Sequence, residues 1–110
     1  PDNPAWYEEF FGPVSMIIKA RDDEDAVRIA NDSHFGLGGS IFTADTRYGY
    51  ALAKKITTGM VFINHPTMVK ADLPFGGVKR SGYGRELLGL GLKEFVNHKL
   101  IDVVDIDAPF

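Results

Sequence analysis

The chain contains no cysteine, which removes disulfides, thiolate metal sites and any cysteine nucleophile from its own chemistry. Its three histidines, His34, His65 and His98, stand far apart without ligand-pair spacing, so no metal site is expected. Lysine and arginine total 12 against 15 aspartates and glutamates, and the net charge of -3 offers no basic footprint for nucleic acid. No apolar run approaches the roughly 20 residues needed to cross a bilayer, so a membrane partner is not expected either. The sequence opens at Pro1 with no basic-then-apolar leader. That opening predicts no signal peptide, a cytoplasmic address and a piece of something longer.

What is present is enough for one core. With 110 residues, 45% of them hydrophobic, the chain is expected to form a single globular unit burying roughly 60–70% of its unfolded surface. Val14 to Lys19 is short, apolar and bounded by Gly12-Pro13 and Arg21-Asp22, which predicts a buried strand. Asp22 or Asp23 can cap a helix running to about Asp32, with Ala26, Val27, Ile29 and Ala30 on its apolar face. Ser40 to Phe42 reads as a short strand. Asp45 or Thr46 can cap a second helix with Tyr48, Ala51, Leu52 and Ile56 on one stripe, and Met60 to Ile63 is another buried strand. The alternation predicts an α/β fold: a β-α-β-α-β parallel sheet, then a long site loop, a short helix near Glu86 and an edge strand from Leu100 to Ile106.

The stretch from Asn64 to Arg85 exceeds the roughly 12–15 residues usual for structureless connections, and loops of that size are usually functional. Leu73 to Glu86, LPFGGVKRSGYGRE, holds four glycines and has neither helical nor strand period. Such a segment has to be held by its surroundings and suits close approach to a ligand. Generic nucleotide signatures fail here. Gly82-Tyr83-Gly84 meets Leu87, and Gly36-Leu37-Gly38 meets Ile41, where a dinucleotide fingerprint needs its third glycine. Gly77 to Gly82 has the spacing of a mononucleotide loop, but Tyr83 stands where its lysine belongs. Asn31-Asp32-Ser33 matches a glycosylation sequon but reads as a helix terminus.

Four segments together carry more weight than any of these. EEFFGPV at Glu8 to Val14, NDSHFGLGGS at Asn31 to Ser40, GMVFIN at Gly59 to Asn64 and PFGGVKRSGYGRE at Pro74 to Glu86 resemble successive C-terminal signatures of the NAD(P)-dependent aldehyde dehydrogenase superfamily. They occur in that family's order and cover essentially the whole chain. The opening PDNPAWYEEFFGPV and closing KEFVNHKLIDV resemble its succinate-semialdehyde dehydrogenase branch. The resemblance implies NAD or NADP as cofactor, a small aldehyde as substrate and a homo-oligomeric enzyme. It implies that Glu9 hydrogen-bonds the nicotinamide-ribose hydroxyls and that Phe11 packs beside the nicotinamide ring. It also implies that Phe75 lines the aldehyde tunnel and that Pro66, Thr67 and Met68 sit at the tunnel mouth, with Lys70 a further candidate for a carboxylated aldehyde. Lys79, Arg80, Arg85 and Glu86 match a stretch that shapes the loop and its subunit contacts, whereas Asn97 stands where some relatives carry a glutamate that pairs with the loop arginine.

The family's chemistry needs a cysteine thiolate, a glutamate base and a dinucleotide domain, so no catalytic residue is assigned within this chain. Residues 1–98 are expected to be the C-terminal portion of the catalytic domain and 99–110 an oligomerisation strand. On this reading the isolated chain is inactive and self-associates through exposed apolar faces. The alternative is a stand-alone, non-catalytic binding or assembly module of the same fold, which fits the missing nucleophile without invoking a longer protein.

Overall fold

The computed structural model describes residues 3–109. A single 3-10 turn, Pro4–Tyr7, opens the described chain, with the Asn3 side chain accepting from Ala5 N. Helix α1, Asp23–Asn31, starts as its sequence requires. The Asp22 carboxylate accepts from Asp25 N, and Asp23, Glu24 and Asp25 occupy the first turn, where negative charge meets the positive end of the helix dipole. Strand β1, Phe35–Gly36, follows, then β2, Gly38–Ile41. Helix α2, Thr46–Ala53, is capped by Asp45, whose carboxylate accepts from Arg47 N and Tyr48 N. Strand β3, Met60–Ile63, lies parallel to β2 from Gly38 beside Met60 to Ile41 beside Ile63, with α2 as the crossover.

The parallel sheet is smaller than expected: two strands, β2 and β3. Val14 to Lys19 forms no ladder, and Ile17 is 98% exposed. Leu100 to Ile106 likewise forms no strand, and Leu100, Val103 and Ile106 are all exposed. Both segments have strand composition, but an extended chain becomes a strand when a neighbour accepts and donates its backbone hydrogen bonds, and the described residues offer neither a neighbour. A second ladder was not anticipated. Strand β4, Val78–Lys79, pairs antiparallel with β1, bringing Phe35 opposite Lys79 and Gly36 opposite Val78.

The expected single core is also absent among the described residues. No apolar side chain there is fully buried, and the chain extends 68 × 32 × 29 Å with a radius of gyration of 19.8 Å. A compact chain of this length would have a radius near 13 Å, on the order given by globular scaling. Apolar packing concentrates in a cleft between α1, β2 and α2, lined by Ala26, Val27, Ala30, Ile41, Leu52 and Ile56. The inward face of α2 is rotated from the expected stripe: Gly49 is buried, and Tyr48 and Ala51 are exposed. At Gly49 a Cβ would lie 2.7 Å from the Thr43 methyl, so the small residue lets α2 lie close to the end of β2. Helix α3, Leu88–Lys93, is short and contains two glycines. Leu87 and Leu88 both have positive φ, and α3 has no side-chain N-cap.

Candidate functional site

The glycine-rich loop is held by hydrogen bonds within itself and to the segment from Asn31 to Gly36. Phe75 N donates to Glu86 O and Glu86 N donates back to Phe75 O, at 3.1 and 2.7 Å, closing the two ends on each other. The Arg85 guanidinium donates through Nη1 to Gly77 O at 2.8 Å and Gly84 O at 2.6 Å. Ser81 Oγ accepts from Gly36 N at 3.0 Å. Lys79 has φ of 57°, and its ammonium donates to Asn31 O at 2.8 Å and Ser33 O at 2.9 Å. Lys79 and Arg85 thus bind backbone carbonyls rather than acidic side chains. Their charge satisfies carbonyls that a loop cannot pair by itself.

Gly59 is the seat of this loop. Its N donates to Gly36 O at 2.9 Å, and a Cβ at this position would stand 1.8 Å from Gly76 O. No side chain fits there, so the backbone just before β3 and the glycine pair Gly76-Gly77 of the loop are in direct contact. The loop and the segment around α3 line a half-open pocket of about 250 Å³ whose lining includes Phe75, Tyr83, Arg85, Glu86, Glu94 and Phe95. The Glu94 carboxylate accepts from Arg85 N at 3.3 Å.

Glu9 and Phe11 stand on a different part of the molecule. Both are exposed, Phe11 at 92%, and neither lines the Phe75 cavity. Phe11 has φ of 46°, a conformation costing a non-glycine residue roughly 1–2 kcal/mol. It is followed by a tight turn in which Val14 N donates to Gly12 O at 2.7 Å. Pro66, Thr67 and Met68 are exposed after β3. Thr67 Oγ1 lies 3.3 Å from Ser40 Oγ, and the Thr67 methyl covers Gly38. Phe75 is thus half-buried in the pocket of its own loop, whereas Glu9, Phe11, Pro66, Thr67 and Met68 are exposed.

Sequence reasoning overlooked the residues that join these parts. Trp6 Nε1 donates to Asp32 Oδ2 at 3.0 Å, and Tyr7 OH lies 3.3 Å from the same oxygen. The Tyr7 ring stacks on His34, centroids 4.6 Å apart and planes 10° from parallel. Partial burial, and then the neighbouring Asp32 carboxylate, push the Tyr7 phenol above its ordinary pKa. The signal available in the sequence was the aromatic pair Trp6-Tyr7 immediately before Glu8-Glu9.

The strongest electrostatic feature is structural. Asp25, 7% exposed, is held by Arg21 and by Arg28, the latter at 2.8 Å. Hydrogen bonds first from Arg21 and then from Arg28 hold its carboxyl well below the usual carboxylate range. At the neighbouring position of α1, Lys55 pairs with Glu24, which raises the Lys55 pKa. No cluster of metal-ligating side chains occurs among the described residues, and none of the described helices is long and apolar enough to cross a membrane.

A β-α-β pair carrying a self-closed glycine-rich loop on its C-terminal side describes part of a larger mixed α/β architecture. The sequence profile of the aldehyde dehydrogenase family matches residues 1–101, and the chain belongs to that family. Over 101 residues it is 54% identical to the NADP(+) succinate-semialdehyde dehydrogenase of Deinococcus radiodurans, covering 92% of this chain and 21% of that protein. The corresponding NAD(P)+ enzyme of Escherichia coli is 48% identical over 97 residues, covering 88% of this chain and 21% of its own length. Among solved structures, the succinic semialdehyde dehydrogenase of Streptococcus pyogenes in complex with NADP+ superposes with a TM-score of 0.89 at 51% identity, over 94% of this chain and 23% of that one. Betaine aldehyde dehydrogenase of Staphylococcus aureus with NAD+ superposes with a TM-score of 0.78 at 40% identity, over 81% of this chain and 18% of that one. The chain thus spans about a fifth of the length of the curated relatives it matches.

Proposed function

We propose that the chain is the C-terminal part of an NAD(P)-dependent aldehyde dehydrogenase that oxidises succinate semialdehyde, or a similar small semialdehyde, to the acid. The observation that carries this is the match of the aldehyde dehydrogenase family profile to residues 1–101, with succinate-semialdehyde dehydrogenases among the relatives. Within that enzyme, residues 1–98 complete the catalytic domain and 99–110 form an assembly strand of a cytoplasmic homo-oligomer. Val14 to Lys19 there gains a sheet neighbour and extends the parallel sheet.

The residues present fit a nicotinamide cofactor in their chemistry. The exposed Glu9 carboxylate is a double acceptor suited to vicinal ribose hydroxyls, and the exposed Phe11 ring offers an apolar face beside it. When bound, the dinucleotide supplies the hydride acceptor. Phe75 walls the aldehyde path and keeps water from the reacting carbon, and Pro66, Thr67 and Met68 shape its mouth. The attacking thiolate comes from a segment outside these residues, since the chain has no cysteine.

Incubating the complete polypeptide with a panel of semialdehydes and either NAD or NADP tests this. Reduced cofactor should form with succinate semialdehyde among the preferred substrates, and silence across the panel would overturn the reading. The lack of cysteine also favours a second reading, a non-catalytic module. A natural reading frame that starts immediately before Pro1 would support that module over the enzyme.

A further inference from the structure

The exit of α1, Asn31 to His34, touches both halves of the candidate site. On one side Asp32 and His34 hold Trp6 and Tyr7. Glu9 lies two residues beyond Tyr7, a reach of at most about 7 Å along the backbone. On the other side the carbonyls of Asn31 and Ser33 accept from the Lys79 ammonium, and His34 O accepts from Arg80 N at 3.0 Å. Lys79 lies four residues beyond Phe75, within the same loop. The turn is itself anchored: the Asn31 side chain donates to Lys55 O at 2.8 Å and accepts from Thr57 N at 2.7 Å, tying it to the segment just before β3.

We propose that this turn is the positioning hub of the site, with Asp32 the residue that sets where the Glu9 segment stands. After Glu8 the chain runs to Lys19 without helix or strand, so the Pro4–Tyr7 turn and its hold on Asp32 are what orient Glu9 from the N-terminal side. Asp32 touches neither cofactor nor aldehyde in this scheme; it acts through Trp6 and Tyr7. Lys79 serves the opposite arm and acts through the loop. The inference rests on the reading of Glu9 and Phe75 given above.

The two arms predict a split that general loss of structure would not produce. In the complete dehydrogenase, Asp32→Ala should raise KM for the nicotinamide cofactor about five- to tenfold with KM for the aldehyde changed less than twofold. Asp32→Asn, which keeps an acceptor oxygen, should restore most of the loss. Lys79→Met should show the reverse, raising KM for the aldehyde and sparing the cofactor. If Asp32→Ala yields no folded enzyme, the double variant Trp6→Phe, Tyr7→Phe removes the same donors from the other side and carries the same expectation. Glu9→Gln is the reference. If Glu9→Gln raises cofactor KM and the Asp32 and Trp6/Tyr7 variants do not, the hub is wrong and the Glu9 reading stands. If Glu9→Gln itself leaves cofactor KM unchanged, the underlying reading fails and the hub with it. Equal rises in both KM values for every variant would also overturn the proposal.

Discussion

The tied middle of the chain and its two apolar flanks make an instructive contrast. From Arg21 to Glu86 nearly every turn is fixed by a named hydrogen bond: Asp22 and Asp45 cap helices, Asn64 bridges to Thr43, Ser81 reaches Gly36 and Arg85 closes its own loop. Val14 to Lys19 and Leu100 to Ile106 are at least as apolar, yet they pair with nothing among the described residues and leave Ile17 and Ile106 almost fully exposed. Polar side chains close loops over a few residues, so the middle can specify itself. An apolar strand stabilises nothing until a neighbour covers it, and its composition says only that it needs one.

Gly59→Ala breaks the middle most severely. The added carbon would meet Gly76 O at 1.8 Å, and because both sides are backbone the loop has to leave its seat. A loss of about 3 kcal/mol, at the upper end for overpacking, is expected in denaturant unfolding of the complete enzyme, with activity lost alongside. Asn64→Ala comes next. Asn64 holds φ of 56° while its amide accepts from Thr43 N at 2.7 Å and donates to Thr43 O at 2.9 Å. Losing both bonds and the residue's tolerance of that conformation should cost about 2 kcal/mol in the same measurement. Asp45→Ala removes the α2 cap and should cost about 1 kcal/mol.

Acid should act on the middle through Asp25. Its folded carboxyl lies below the ordinary value of 3.8, so its contribution is complete above that pH and is lost as pH falls from there toward the folded value. A titration of the unfolding midpoint should be flat in this component from neutrality down to the ordinary carboxylate range and then fall, and Asp25→Asn should remove that fall. The flanks should respond least. Ile17→Ser in the isolated chain should change stability by less than about 0.5 kcal/mol, because the side chain is 98% exposed. The same change should weaken self-association in sizing experiments, which would show that the flank's role is to be covered.

The helix starts and one strand of the middle were legible in the sequence, whereas features that depend on distant partners were not. Asp22 and Asp45 announce helix starts through chemistry that works within three residues, and Met60–Ile63 was placed to the residue. The stripe on α2 was misread because Gly49, with no side chain to count as apolar, is the residue that packs closest. The β1 and β4 pairing joins residues over forty apart through two-residue strands, which carry no periodicity to detect. Val14 to Lys19 and Leu100 to Ile106 were given their local shape from composition, but strand formation depends on a partner that local pattern does not name. At the candidate site, Phe75 lines a half-open pocket that neither Glu9 nor Phe11 reaches. The hold of Asp32 on Trp6 and Tyr7 was missed because it joins side chains 26 and 25 residues apart, beyond any local pattern.

The most direct test of the proposed site is a structure of the complete protein with nicotinamide cofactor bound. Glu9 should lie within hydrogen-bond distance of the ribose hydroxyls, with Phe11 against the nicotinamide and Phe75 facing the same hollow from the aldehyde side. A bound cofactor with Glu9 and Phe11 turned away from it, or with Phe75 outside that hollow, would contradict it.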